Sequence, residues 1–254
     1  MRIVAVIKQT FDTEEKVVVE NGRILDEGVK WVINPYDEYA IEEAVRLKER
    51  HGGTVIAVTA GPERAEQALR TALAMGADRA VRIECEETDE FVVARLLAAY
   101  IRREGADLVL AGNMSVDRGA AQVGPRLAEE LGIPHIAAVT RLSLENGKAV
   151  AVRDEEGDAV TLEAGLPLLV TAQQGLNEPR YPSLPSLMKA RKMPIGRMRP
   201  EELDAEAARS PKTVVVGLAA APGRRGVCRM LPGTPEEQAK ELAWILAFEE
   251  KAVY

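Results

Sequence analysis

Residues 54–83 read TVIAVTAGPERAEQALRTALAMGADRAVRI. Two apolar runs, TVIAVTA (54–60) and AVRI (80–83), bracket a stretch, 62–75, in which Ala65, Ala68, Leu69, Ala72 and Leu73 recur at spacings of three and four. That spacing lines them along one stripe of a helix. The flanking runs are short and continuous, as strands covered on both faces are. A strand, a helix and a second strand in this order make a right-handed crossover between parallel neighbours. The same alternation extends outward: RIVAVIK (2–8) precedes it and DLVLAG (107–112) follows. Amphipathic helices are expected over 35–50 (Ala40, Ile41, Ala44, Val45, Lys48), 89–103 and 118–131, the last closed by Gly132 as a C-cap. The fold class is therefore α/β, a doubly wound, mostly parallel sheet.

Two stretches interrupt the alternation. KVVVENGRILDEG carries Asn21-Gly22 and SLENGKAVAV carries Asn146-Gly147, each between apolar runs, which predicts β-hairpin excursions. Beyond the very apolar LPLLVTA (166–172) the composition shifts, and to about residue 235 the chain is rich in proline and basic residues. One strand is expected there, KTVVVGLA (212–219). A last helix starts with Thr234 as N-cap, Pro235 at the first helical position and Glu237 placed for a capping box. The reading divides the chain into an α/β domain over 1–190 and a C-terminal arm over 191–254. The apolar stripe of the arm's helix (Leu242, Ile245, Leu246, widened by Trp244 and Phe248) must be buried on something, a partner chain being the candidate.

Composition narrows the function. A net charge of −7 argues against nucleic-acid binding. Cys85 and Cys228 form no CxxC, and only His51 and His135 are present, so a disulfide framework, a metal site and a histidine-based triad are all disfavoured. The N-terminal MRIVAVIKQT is a short apolar run ending at Lys8, read as a buried first strand rather than a leader or membrane segment. A cytoplasmic protein without membrane insertion is expected.

Ligands of open α/β sheets collect beyond the carboxyl ends of the strands, where strand order reverses. The loops to inspect follow residues 8, 60 and 112, together with the helix start at 34. Asn34-Pro35-Tyr36-Asp37 and Ala60-Gly61-Pro62 read first as well-formed helix starts. The stretch from Gly112 to Gln122 reads as an anion-binding loop, because its small residues let backbone N–H groups approach a phosphate ahead of a helix N-terminus. Asp117 within it reads as a cap rather than a general base. No GxGxxG follows the first strand, no GxxxxGK[ST] occurs, and no Ser-Gly-Gly-x-Asp loop is present. The sheet can hold a nucleotide but lacks the parts for cleaving one.

The segment GLNEPRYPSLPSLMKARKMPI (175–195) poses a separate question. Pro179, Pro182 and Pro185 break regular structure beside Leu184, Leu187 and Met188 and the cations Lys189, Arg191 and Lys192. From 181 to 200 there are five basic residues and no acidic ones, in an acidic protein. A loop that only connects has little use for three large apolar side chains next to a cationic cluster.

VTAQQGLNEPRYPSLPSLMKARKMPI (170–195), NPYDEYAIEEAVRLKE (34–49), ALAMGADRAVRI (72–83) and DLVLAGNMSVDRGAAQVGP (107–125) together resemble the β subunit of electron transfer flavoproteins, from residue 1 to about 200. The resemblance implies a Rossmann-like sheet of the adenine nucleotide alpha hydrolase type and a heterodimer with an α subunit. One FAD would lie at the interface, held mostly by α, and an AMP without a redox role would be buried in β. Carried over by position, the cofactor contacts are Val6, Asn34, Pro35, Tyr36, Asp37, Ala60, and Gly112, Asn113, Met114, Ser115, Val116, Asp117, Arg118, Gly119, Ala120, Ala121, Gln122 and Val123.

Leu184 matches the anchor of a recognition loop that inserts into an acyl-CoA dehydrogenase, with Leu187, Met188, Lys189 and Lys192 around it. The implied role, in fatty acid oxidation, is to take electrons from acyl-CoA and related dehydrogenases onto the shared FAD and pass them to a quinone oxidoreductase. No catalytic residue of its own is implied. Tyr36 fits an aromatic position near the flavin, Thr13 stands where members often carry an aromatic residue, and Asp154 falls where an acid braces the flavin domain. AAQVGP (120–125) is closer to bacterial members, including bifurcating ones in which a second FAD replaces AMP. That variant, and a stand-alone adenine-nucleotide sensor built on the same sheet, stay open at this point.

Overall fold

The computed structural model describes residues 1–14, 18–20, 23–25, 28–86, 88–145, 147–203, 210–219 and 228–250. They belong to two compact units, Met1–Leu218 and Ala219–Tyr254. The first unit is built on the expected alternation. β1 (Arg2–Val6) leads through two small ribbons to α1 (Pro35–His51). The ribbons are β2 (Gln9–Phe11) with β5 (Trp31–Ile33), and β3 (Val19–Glu20) with β4 (Arg23–Ile24). β3 and β4 flank the predicted Asn21-Gly22 turn, which lies outside the described residues, as does Asn146 of the second. There follow β6 (Thr54–Gly61), α2 (Glu66–Met75), β7 (Arg79–Glu84), α3 (Glu90–Glu104), β8 (Leu108–Gly112) and α4 (Val123–Leu131). The chain then runs through β9 (His135–Glu145), β10 (Lys148–Glu155), β11 (Asp158–Gly165), β12 (Leu168–Ala172), α5 (Leu184–Lys192) and β13 (Ile195–Met198).

Nine strands form one sheet in the order β11-β10-β9-β12-β8-β1-β6-β7-β13, parallel from β9 to β13, with β10 antiparallel to both its neighbours. The period of two in each strand divides the core. Ile3, Ala5 and Ile7 pack with α1 and α2 on one face, whereas Val4 and Val6 pack with α3 and α4 on the other. From β1 the chain winds through β6 and β7 in one direction, then crosses back to β8. The switch point therefore lies between β1 and β8.

Three expectations are corrected. The fourth helix was expected over 118–131 but starts at Val123, because Gly119 (φ 62) and Ala121 (φ 51) take left-handed conformations that no α-helix contains. The stretch expected as a strand at 212–219 has no strand partner among the described residues. It is tethered at its start by Asp89, which accepts from Thr213 N at 2.9 Å, and Val214, Val215 and Val216 stay exposed. The boundary drawn at 190 falls within α5, and β13 beyond it pairs with β7, so the sheet retains that segment. Proline density had hidden this short edge strand.

The second unit contains α6 (Pro235–Trp244), whose Thr234–Glu237 capping box forms as predicted, extended by a π-helical turn, Ile245–Glu249. Trp244 and Phe248 stack with ring centroids 5.8 Å apart, and both are exposed. Arg229 reaches Glu241 at 3.1 Å and Glu249 at 3.4 Å.

Candidate functional site

At the switch point, β1 ends beside β8, and the first turn of α1 faces both. Asn34 occupies the N-cap position of α1, yet its side chain does not cap the helix. Its amide instead donates to Met114 O (2.9 Å) and accepts from Val116 N (3.1 Å), holding the loop after β8. Asp37, buried one turn in, accepts three N–H groups: Lys8 N at 2.7 Å, Asn34 Nδ2 at 3.0 Å and Gly112 N at 3.1 Å. Burial pushes its carboxyl up to about 7, against the pull of those donors. Gly112 permits the approach, since a Cβ there would stand 2.2 Å from Asp37 Oδ1 and 2.7 Å from the Tyr36 Cβ.

Asp117 is not a cap. Burial raises its carboxyl, but Lys8 outweighs that and holds it below the ordinary range; Lys8 Nζ lies 2.7 Å from both carboxylate oxygens and 3.1 Å from Ser115 Oγ. Sequence had offered no partner because Lys8 lies 109 positions away. Gly119 N closes onto Ser115 O at 2.7 Å, and Arg118 reaches Thr88 O at 2.9 Å. The structure thus gathers Val6, Asn34 to Asp37 and the 112–123 loop at one rim. Ala60 lies one residue before the end of the neighbouring strand, on the other side of β1.

The first turn of α4 completes the rim. Gln122 makes no side-chain cap and the first turn carries no acid, so no side chain of this turn offsets the positive end of the helix dipole. Gly119, Ala121 and Gln122 are exposed around it. That end suits a phosphate.

The 175–195 segment projects from the face that α1 and α2 cover. Asn177 donates to Tyr39 O (2.9 Å) and Glu43 Oε2 (3.1 Å). Arg180 binds Glu42 at 2.8 Å and Glu49 at 2.7 Å, strapping the segment to α1. Glu42 is buried; burial raises its carboxyl, but Arg180 and Arg46 hold it below the ordinary value. Ser183 caps α5 by accepting from Ser186 N. Leu184, at the first helical position, is 72% exposed; Leu187, Met188, Lys189 and Lys192 are exposed with it. Tyr181, fully exposed beside them, was missed in the sequence, although the run of prolines marked its neighbourhood. Arg180 and Lys8 were missed as well, since their partners are distant in sequence.

The sequence model for the electron transfer flavoprotein domain matches residues 22–203. An electron transfer flavoprotein subunit beta of Bacillus subtilis (strain 168) is 50% identical over the whole of both chains. The human subunit beta is 39% identical over 80% of this chain and 83% of its own, and that of Syntrophomonas wolfei is 42% identical over 77% and 78%. The chain belongs to the electron transfer flavoprotein β-subunit family. It is thus a component of an electron-carrying flavoprotein, and membership implies association with a flavin and an α subunit as partner. Among the described residues no helix is long and apolar enough to cross a membrane.

Proposed function

We propose that the chain pairs with its α subunit around one shared FAD, accepts electrons from acyl-CoA and related dehydrogenases, and passes them to a quinone oxidoreductase. AMP is the proposed occupant of the rim between β1 and β8. The α4 amides and the Gly119–Gln122 backbone would hold its phosphate, and the Val6, Asn34–Asp37 and Ala60 side of the rim its nucleoside. FAD supplies the electron-carrying chemistry when bound. This chain's residues position rather than react: the Asp37 and Asn34 bonds fix the loop, and the α1 strap presents Leu184. Helix α6 and the rest of the arm are proposed to pack on the α subunit.

The observation that supports docking most strongly is Leu184, a large apolar side chain left in solvent on a helix whose supporting segment is tied down by buried charge. A solvated linker would need no such support. The test of the whole reading is to co-express the chain with its α subunit, purify the complex and count flavin and AMP. One FAD with one AMP supports the carrier; two FAD and no AMP would make it a bifurcating form. A chain that purifies alone with adenine nucleotide and no flavin would be a sensor.

A further inference from the structure

α5 is only nine residues long, too short to be stable on its own helix propensity. Three cations, Lys189, Arg191 and Lys192, crowd its last turn. They favour the negative end of the helix dipole, but all three are exposed, and the side-chain donor to its terminal carbonyls among the described residues is another residue. That donor is Arg70, half-buried on α2. Its Nη1 donates to Ala190 O at 2.7 Å and also to Met193 O, one carbonyl in the last turn and one at the C-cap. Ala190 is buried against the same face, so the end of α5 is fixed both by packing and by this double donor. The beginning of the segment is fixed separately, through Arg180 and Asn177 on α1.

We propose that Arg70 is a positioning residue for partner docking: it sets the direction in which α5 points, and hence where Leu184 projects, without touching the partner itself. The proposal rests on the docking role assigned above to Leu184. Both bonds come from one guanidinium nitrogen at the end of a long side chain; a lysine ammonium has enough N–H groups for the pair, but its shorter side chain reaches both carbonyls only with a shift of the helix.

The experiment uses the co-expressed α/β complex and an acyl-CoA dehydrogenase, with the flavoprotein varied as substrate. Arg70→Met keeps the packing stem and removes the donors; Arg70→Lys keeps the charge; Leu184→Ala is the reference. Arg70→Met is expected to raise KM about fivefold, with kcat and flavin content unchanged. Arg70→Lys should fall between it and wild type. The double variant Arg70→Met with Leu184→Ala should be no worse than Leu184→Ala alone, because both changes remove the same anchor.

An unchanged KM for Arg70→Met beside a raised KM for Leu184→Ala overturns this proposal and leaves the docking reading standing. Additive losses in the double variant, or loss of flavin with Arg70→Met, overturn it too, by making Arg70 a general scaffold residue. A silent Leu184→Ala overturns the docking reading and this proposal with it.

Discussion

Lys8 and Asp117 meet across the switch point of the sheet: the ammonium just past the end of β1 lies 2.7 Å from both carboxylate oxygens in the loop that follows β8. This pair, with Ser115, links the two strand ends through side-chain charge, while Asp37 and Asn34 link them through the first turn of α1. Lys8→Met should therefore loosen the loop more than it weakens the fold. The Lys8 side chain is 42% exposed, so its share of stability is expected to be about 1 kcal/mol or less. AMP retained through purification should fall clearly while the denaturant midpoint of the complex moves little. A large midpoint shift with full AMP retention would contradict this division of labour.

Gly112 bears directly on the same rim. Because an added Cβ would lie 2.2 Å from Asp37 Oδ1 and 2.9 Å from the Tyr36 carbonyl carbon, Gly112→Ala must displace the first turn of α1 or the end of β8. The cost expected from such overpacking is about 3 kcal/mol. Gly119→Ala meets no atom within 4 Å but must hold φ 62, at about 1 kcal/mol. Chemical denaturation of the two variants should preserve that ranking; equal losses would mean that space at Gly112 is not the constraint.

The strap at Arg180 makes a pH prediction. The folded-state pKa of Glu42 lies below its ordinary value of 4.5, so its contribution is present above that pH and is lost as the pH falls through the depressed folded value. Acidification below about pH 4.5 should accordingly release the Arg180 amide, which donates to Glu42 Oε2. Hydrogen exchange over residues 178–188 is expected to quicken in that window; Glu42→Gln should weaken the pH dependence, the remainder coming from Glu49, which Arg180 also holds below its ordinary value. Removing the cation with Arg180→Met leaves Glu42 paired only with Arg46, at an expected cost of about 2 kcal/mol.

Much of this was legible in the chain because the signals were local. Continuous apolar runs and helical spacing in 54–83 delivered the crossover, and Thr234, Pro235 and Glu237 delivered a capping box that forms as drawn. What was not legible depended on distant partners or on backbone conformation. Asn34 looks like a cap in sequence, but its amide is taken by Met114 and Val116, some eighty positions away. Asp117 looked unpartnered because Lys8, just past the first strand, is far away in sequence. The start of α4 moved to Val123 because Ala121, an alanine with φ 51, gives no sequence sign of leaving the helix. Valines 214–216 carry strand propensity, yet no strand of the described chain lies beside them, so propensity alone made no strand.

The rim around Leu184 allows the apolar and charged parts of the proposed docking to be separated. Lys189 and Lys192 are exposed on the last turn of α5, and no acid among the described residues pairs with them. Exposed charges act mainly on the rate of encounter and are screened beyond a distance of about 8 Å at physiological salt. The double variant Lys189→Glu with Lys192→Glu should slow dehydrogenase-driven reduction about tenfold at low ionic strength, with the deficit shrinking as salt is added. Leu184→Ala, which removes buried contact rather than field, should show a loss that salt leaves nearly unchanged. Stopped-flow traces of flavin reduction across a salt series distinguish the two. If the lysine variant lost the same factor at every salt concentration, the basic rim would be contacting the partner at close range instead of steering it.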